Sequence, residues 1–282
     1  MQSSRQDKKI PYTRLPIGGK IYSHGNKIIP YILLLTTWQI IATLVWNLRG
    51  IPFPNPRDTI HHSYRLLTGR PLLGSSIFLH VGVSLSRWLL GFILAALLGV
   101  GVGILTGCFQ SLDNTITPLL TLLQPIPSLA WIPVAILLLG LGFTSTVFII
   151  ILAAFFPIAV NTSSGIKNVD PILIQAARML GAKNASILCR VALPASLAQI
   201  LSGLRVGLAN GWRALIAAEM VAGTGSGLGF AIYQSRWNLD YPSAFACISL
   251  IALLGLLVEG FVFTQIEDRT IKKWGITIRE VK

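Results

Sequence analysis

The feature that most constrains this chain is a stretch of 45 residues, from Asn114 to Ile158, that contains no charged side chain. A hydrocarbon layer about 30 Å thick needs roughly 20 apolar residues per helix, so this stretch is long enough to cross a membrane twice. Only 12% of the 282 residues are charged, whereas a soluble domain is about 25% charged. The chain is therefore predicted to be an integral membrane protein.

Six apolar segments predict an all-α fold, a polytopic transmembrane helical bundle of about six spans. Four of the segments carry no charged side chain at all. Pro125, Pro127 and Pro133 interrupt the third, because proline cannot donate a backbone hydrogen bond inside a helix. The predicted spans are residues 28–48, 88–109, 119–139, 144–160, 195–221 and 244–264.

Small residues are frequent in the second predicted span, which contains Gly91, Gly99, Gly101 and Gly103. Lipid provides no hydrophobic drive between helices, so residues that allow close approach are typical of packed transmembrane helices. We therefore expect this stripe to pack against another helix.

Basic residues divide unequally between the two sides of these spans. An even number of spans places both tails on one side, and the tails together with segment 161–194 carry fifteen Lys and Arg, including all nine lysines. The opposite side carries six arginines, among them Arg87. The positive-inside rule then predicts that both termini and segment 161–194 are cytoplasmic.

Segment 161–194 is a polar, basic island between apolar segments, and its first half predicts a short helix. Asp170 followed by Pro171 is typical of a helix start, with a side-chain acceptor and then a ring suited to the first helical position. Gly181 is suited to the left-handed residue that ends such a helix. An exposed Ala176-Ala177 step would make the helix a compact knob into which another protein could fit closely.

The second half of the island predicts another short helix. Asn184 is a good capping residue, and the helix is expected to run to about Val191. Leu193-Pro194 is then expected to turn the chain back towards apolar sequence.

Charged side chains inside spans are costly and therefore point to function. The fifth span contains Arg205, Arg213 and Glu219. Arg205 and Arg213 are eight residues apart, about 12 Å along a helix and rotated by roughly 80°, so both could border one cavity. The alternatives are pairing of Arg205 with carbonyls or a carboxylate, snorkelling of Arg213 to the interface, and a structural role for Glu219 near the external end.

Several kinds of chemistry lack a supporting motif. The glycine-rich Gly223–Gly229 has neither the lysine nor the strand–helix context of a phosphate-binding loop, so it predicts a flexible external loop or re-entrant turn. His61, His62 and His80 have no ligand-spaced partners, so no metal is expected. The basic residues form no aromatic-interleaved patch, which argues against nucleic-acid binding. No catalytic constellation is recognisable.

Segment 161–194 also carries a family resemblance. Gln175-Ala176-Ala177, Gly181 and the Leu193-Pro194 pair resemble the coupling motif of bacterial ABC-importer permeases, in which the first residue is usually Glu. The resemblance covers roughly residues 74–264. Other motifs that match the branch importing nitrate, bicarbonate, taurine and aliphatic sulfonates are Gln124–Pro133, Gly140-Leu-Gly142, Gly203-Leu-Arg205, Trp212, Ala217-Ala-Glu219 and Gly227-Leu-Gly229.

This resemblance implies a type I ABC importer permease in the bacterial inner membrane. Such a permease is a homodimer that binds two cytosolic ATPase subunits through its coupling helices and receives substrate from an extracytoplasmic binding protein. ATP and magnesium would be bound by the ATPase, so no cofactor is expected in this chain. The implied regions are a cytoplasmic tail (1–27), a first transmembrane helix (28–48), an external segment (49–73), the permease core (74–264, with coupling helices at 161–194) and a cytoplasmic tail (265–282).

Two other function classes fit less well. A secondary transporter would show an inverted repeat and intramembrane proton or sodium ligands, and neither is visible in the sequence. A membrane-embedded enzyme would need a catalytic constellation at span depth, and none is recognisable. We therefore expect a transport subunit without enzymatic activity. The coupling residues would be Asp170, Gln175, Ala176, Ala177, Gly181, Leu193 and Pro194. The candidate pathway residues are Arg205, Arg213 and Glu219, and the substrate is expected to be a small anion such as a sulfonate, taurine or nitrate.

Overall fold

The computed structural model describes residues 28–50 and 52–270, and its side chains through residue 258 and at 260. The predicted tail 1–27 and the last twelve residues of the other tail lie outside this range. The chain clusters into two compact units, one up to Pro56 and one from Arg57. The first unit contains α1 (Ile29–Arg49), whose Trp38 Nε1–H donates to the Pro54 carbonyl at 3.0 Å.

From Pro56 onward the described residues form ten further α-helices, with a 3₁₀ turn at Ser128–Trp131 and a π-helical turn at Leu188–Ala192. The helices are α2 (Pro56–Leu67), α3 (Ile77–Cys108), α4 (Gln110–Leu123), α5 (Ile132–Leu139), α6 (Phe143–Lys167), α7 (Pro171–Met179), α8 (Asn184–Ile187), α9 (Leu193–Ala222), α10 (Leu228–Trp237) and α11 (Tyr241–Thr270).

The core of the second unit is formed by α3, α6 and α9, with α6 packed between the other two. Glycines of α3 allow its backbone to approach α6 closely. A methyl group added at Gly91 would lie 2.7 Å from Ile150 Cγ2, and one at Gly99 would lie 2.9 Å from Ile158 Cβ. The expected helix packing of this stripe is confirmed, except at Gly101, where an added methyl group would meet none of the described neighbouring elements within 4 Å.

The opposite side of α6 meets a second set of small residues on α9. A methyl group at Gly207 would lie 2.7 Å from Ile158 Cδ1, and one at Gly203 would lie 2.7 Å from Asn161 Cβ. Ile158 is fully buried between the two glycine faces. Close backbone approach of this kind replaces the hydrophobic drive that lipid does not supply.

Five described helices are long and apolar enough to cross a membrane: Ile29–Arg49, Ile77–Cys108, Phe143–Lys167, Asn184–Ala222 and Tyr241–Val258. The count reaches the predicted six when Gln110–Leu123 and Ser128–Leu139 are taken together as one broken span. The expectation of a single span over 119–139 was wrong in form, because these two segments meet at a 93° bend. Pro125 and Pro127 lie at the bend, where they remove backbone donors and disfavour helical geometry before them.

The segment between the first two spans forms α2, which packs against the start of α11 through a buried polar contact. His62 Nε2 lies 2.9 Å from Ser243 Oγ, and that hydroxyl donates to Asp240 Oδ2 at 2.6 Å. Ser243 therefore accepts from the imidazole. Burial lowers the pKa of His62, although the Asp240 carboxylate acts in the opposite direction. The lowered pKa keeps the imidazole neutral near pH 7.

The native cysteines provide a test of the predicted orientation. Cys108 and Cys189 are exposed at helix ends that we place in the cytoplasm, whereas Cys247 is buried. A membrane-impermeant maleimide added outside spheroplasts is expected to leave the wild-type chain unlabelled and to label a Thr68→Cys variant, because Thr68 is exposed after α2. Lys183→Cys should react only after permeabilisation. External labelling of Cys189 or of the Lys183→Cys variant would contradict the orientation.

Candidate functional site

The short helix α7 has the boundaries that the sequence predicts. The Asp170 carboxylate accepts from the Ile172 amide at 2.8 Å, and Pro171 occupies the first turn. Gly181 adopts a left-handed φ of +77°. The Ala182 amide donates to the Ala177 carbonyl at 3.0 Å, which is the long bond of a Schellman motif. The predicted start and end of this helix are confirmed.

One face of α7 is apolar and is left uncovered by the described residues. Ile172, Met179 and Leu180 are 69%, 84% and 88% exposed, and no residue of the helix is fully buried. Gln175 is also exposed, and Ala176 and Ala177 are half-buried. An exposed apolar helix face beside small residues is suited to insertion into a groove of another protein.

The prediction of a turn at Leu193-Pro194 was wrong. Asn184–Ala222 is one continuous helical segment of 39 residues, and Pro194 lies in the first turn of α9. Just before it the helix widens into a π-helical turn, in which the Leu193 amide donates to the Leu188 carbonyl. A wider turn accommodates the proline ring and its missing N–H, so the helix continues instead of breaking.

A cavity of about 400 Å³ opens where the broken span meets the middle of α6 and α9. The bend after α4 contributes one wall, so the proline break places the polar side chains of Gln124 and Ser128 in the lining. The lining residues are Gln124, Ile126, Pro127, Ser128, Leu129, Trp131, Leu152, Ala153, Phe156, Pro157, Val206, Asn210, Arg213 and Ala214.

Arg213 is the charged residue of this lining. Its Nε–H donates to the Ala209 carbonyl at 3.2 Å, and its Nη2 donates to Asn210 Oδ1 at 2.7 Å. Arg205 does not line the cavity, although we expected that both arginines could. Eight residues rotate a helix by roughly 80°, and this is enough to place Arg205 on another face of α9.

Glu219 does not line the cavity either, and the structure places it in the helix core. Its carboxylate is fully buried and forms a 2.8 Å ion pair with Arg87 of α3. The hydroxyl of Ser84, also on α3, lies 2.9 and 2.8 Å from the two carboxylate oxygens. A buried carboxylate needs such partners, because an unpaired charge in a low-dielectric interior is very costly.

The same network anchors the glycine-rich connection between α9 and α10. The Gly229 amide donates to Glu219 Oε2 at 2.9 Å, and Arg87 donates to the Ser226 carbonyl at 2.8 Å. A side chain at Gly227 would lie 2.6 Å from Glu219 Oε1. Buried side chains therefore hold the backbone of Ser226–Gly229, in the second half of the segment for which a flexible external loop or re-entrant turn was predicted.

His80 completes this network from α3. The Gly227 amide donates to His80 Nδ1 at 3.1 Å, so the ring proton lies on Nε2 and is directed to the Leu72 carbonyl at 3.2 Å. His80 is fully buried. The imidazole thus has a structural role in which both nitrogens are satisfied.

Sequence reasoning missed Arg87, which we counted among the arginines of the external side. The side chain is 4% exposed and lies within α3. A signal was available, because His80, Ser84 and Arg87 are spaced by four and three residues and thus share one helix face. Polar residues in that spacing indicate a buried polar contact with a neighbouring helix.

Comparison with known proteins now decides the family. Residues 95–271 match the family described as the inner membrane component of binding-protein-dependent transport systems. The chain belongs to this family. It is accordingly a multi-pass inner-membrane transport component, and the prediction of a transport subunit instead of an enzyme is confirmed.

Individual relatives agree with the predicted branch. The taurine transport system permease protein TauC of Escherichia coli is 35% identical over 227 residues, which cover 80% of this chain and 82% of TauC. The nitrate import permease protein NrtB of Synechocystis is 29% identical over 235 residues, covering 82% and 83%. The resemblance to sulfonate, taurine and nitrate permeases is confirmed.

A solved structure establishes the fold. A chain of the MetNI methionine ABC transporter in an inward-facing conformation aligns with a TM-score of 0.58 and 21% identity, covering 66% of this chain and 92% of that chain. The predicted all-α, type I ABC importer permease architecture is thereby confirmed.

The buried ion pair yields a stability prediction. Glu219→Gln leaves the Arg87 charge buried without a counter-ion, which is expected to cost about 3–5 kcal/mol of unfolding free energy in detergent. Lys167→Gln removes the partly exposed contact with Asp113, where water screens the charges, and is expected to cost much less. SDS titration of the purified chains measures both. The double variant Arg87→Gln, Glu219→Gln should be more stable than Glu219→Gln alone, and equal costs for Glu219→Gln and Lys167→Gln would contradict the assignment.

Proposed function

We propose that this chain is the permease subunit of an ATP-driven importer for a small anion, either a sulfonate such as taurine or an oxyanion such as nitrate. An extracytoplasmic binding protein delivers the anion, and two cytosolic ATPase subunits drive the transport. ATP and magnesium are bound by those subunits, and the permease itself needs no cofactor. Both termini are cytoplasmic.

The observation that carries this proposal is the exposed apolar face of α7. The helix is rigidly capped at both ends, so a force applied to it is transmitted to α6 and α9, which flank it along the chain. Ile172 and Met179 would enter a groove of the ATPase, with Ala176 and Ala177 allowing close approach. Gln175 keeps hydrogen-bonding capacity where relatives usually have a carboxylate.

Mechanical coupling follows from how these helices pack. α6 ends at Lys167, three residues before the cap of α7, and its middle contributes Leu152 and Phe156 to the cavity. Interlocked glycine faces make α3, α6 and α9 move as packed bodies. Movement of two α7 helices in a homodimer, as the ATPases close, would therefore change the access of the cavity to either side of the membrane.

The anionic substrate is inferred from the cavity. Arg213 contributes a positive charge to a wall that is otherwise neutral, including the polar side chains of Gln124 and Asn210. A cation at span depth is unfavourable without an anionic partner, so an anion entering the cavity would be attracted. The names of TauC and NrtB are consistent with this substrate class.

The coupling assignment predicts loss of transport without loss of insertion. Ala177→Asp places a charge in the ATPase groove, and Gly181→Leu forces a side chain into a left-handed conformation that L-residues rarely adopt. Both are expected to abolish substrate-stimulated ATPase activity in proteoliposomes. Gln175→Glu restores the common family residue and is the matched control, expected to transport within about twofold of wild type. Normal transport by either disruptive variant would rule out α7 as the coupling helix.

The anion assignment predicts a specific effect at Arg213. Arg213→Gln removes the charge but keeps hydrogen-bonding capacity, and uptake of taurine or nitrate by the reconstituted complex is expected to fall roughly tenfold. Co-purification with the ATPase should be retained, since the side chain is exposed in the cavity and does not pack in the core. Uptake kinetics identical to wild type would leave Arg213 with a packing role only.

A further inference from the structure

Asn210 lies beside Arg213 on the same cavity wall, and its amide oxygen accepts from the guanidinium at 2.7 Å. We propose that Asn210 is a specificity-determining residue, which orients Arg213 for an anion and leaves its charge unneutralised. This inference rests on the proposed anion transport. It adds that the neutrality of Asn210, and not only the charge of Arg213, determines whether an anion is accepted.

The donors of Arg213 divide into two sets. A guanidinium has five N–H groups, and here the Nε–H is directed to the Ala209 carbonyl while one Nη2 hydrogen is directed to Asn210. The three remaining N–H groups are the two of Nη1 and the second one of Nη2. Two neutral acceptors thus hold one edge of the plane against α9, and the other edge stays available for the oxygens of a sulfonate or nitrate.

The charge of Arg213 is not compensated by a described carboxylate. Arg213 belongs to neither of the ion pairs Arg87–Glu219 and Lys167–Asp113, and none of the described residues that line the cavity is acidic. Asparagine is the neutral counterpart of aspartate, with the same shape and the same acceptor. An aspartate in its place would make a tighter bond to the guanidinium but would cancel the charge that attracts the substrate.

Two substitutions of Asn210 distinguish an effect of its neutral charge from a purely structural role. Asn210→Asp keeps the acceptor and adds a negative charge, whereas Asn210→Ala removes the acceptor and keeps the cavity positive. We expect uptake of taurine or nitrate to fall roughly tenfold or more in Asn210→Asp, and about threefold in Asn210→Ala, where the guanidinium loses one neutral acceptor. If Asn210 acted only as a structural acceptor, the alanine variant would be the worse of the two.

The matched control places the same charge elsewhere in the cavity. Gln124→Glu adds a carboxylate to the wall formed by the broken span and is expected to reduce uptake less than Asn210→Asp. The measurements use permease reconstituted with its ATPase and binding protein, and assembly is checked by co-purification. Equal losses in Gln124→Glu and Asn210→Asp, or a larger loss in Asn210→Ala, would overturn the proposal.

A second measurement installs the charge after assembly, so that folding is not affected. Asn210→Cys, in a chain with Cys108→Ser and Cys189→Ser, is treated with a negatively or a positively charged methanethiosulfonate reagent. The negative reagent is expected to inhibit uptake at least tenfold more strongly than the positive one. Equal inhibition by both would indicate an effect of bulk and overturn the proposal.

Arg213→Gln distinguishes this inference from the function on which it rests. If that variant transports normally, the role of Arg213 in anion transport fails and the role of Asn210 fails with it. If Arg213→Gln is impaired while Asn210→Asp transports like wild type, only the present inference is overturned.

Discussion

The arrangement of the second unit depends on one buried ion pair, between Arg87 of α3 and Glu219 of α9. Neither charge is tolerable alone in a low-dielectric environment, so each requires the other to be in place. The carboxylate also accepts from Ser84 and from the Gly229 amide, and the guanidinium donates to the Ser226 carbonyl. Two spans and the connection to α10 are thereby held in one geometry.

Steric fit acts along the rest of these helices. Ile158 of α6 lies between Gly99 on α3 and Gly207 on α9, with no room for a further methyl group on either side. Because lipid supplies no hydrophobic drive between helices, this close packing stabilises the three-helix core through dispersion contacts. The three helices of such a core move together as packed bodies. This behaviour suits a protein whose proposed role is to transmit movement from α7 to a cavity.

The cavity exists because one span is broken. Pro125 and Pro127 interrupt the helical hydrogen bonding between α4 and the 3₁₀ turn, and the 93° bend leaves Gln124 and Ser128 in the cavity lining with residues of α6 and α9. Irregular backbone within a membrane is tolerated where it is buried in protein or lines a polar cavity. The packed side of α9 carries Glu219 in a buried hydrogen-bonded network with α3, whereas its cavity side carries Arg213, which uses two of its five N–H groups in the hydrogen bonds to Ala209 and Asn210.

The sequence by itself determined the features that depend on local rules. Long apolar segments predict the number of spans, although not the bend in the third, and Asp170, Pro171 and Gly181 are sufficient to predict both ends of α7, because capping involves only neighbouring residues. Only the tertiary structure decided which intramembrane charges are structural. Glu219 is neutralised by Arg87, which lies 132 residues away in the chain, and Arg213 lines the cavity whereas Arg205 does not. Those outcomes depend on partners that packing brings together, and packing of whole helices is not encoded in any local stretch of residues.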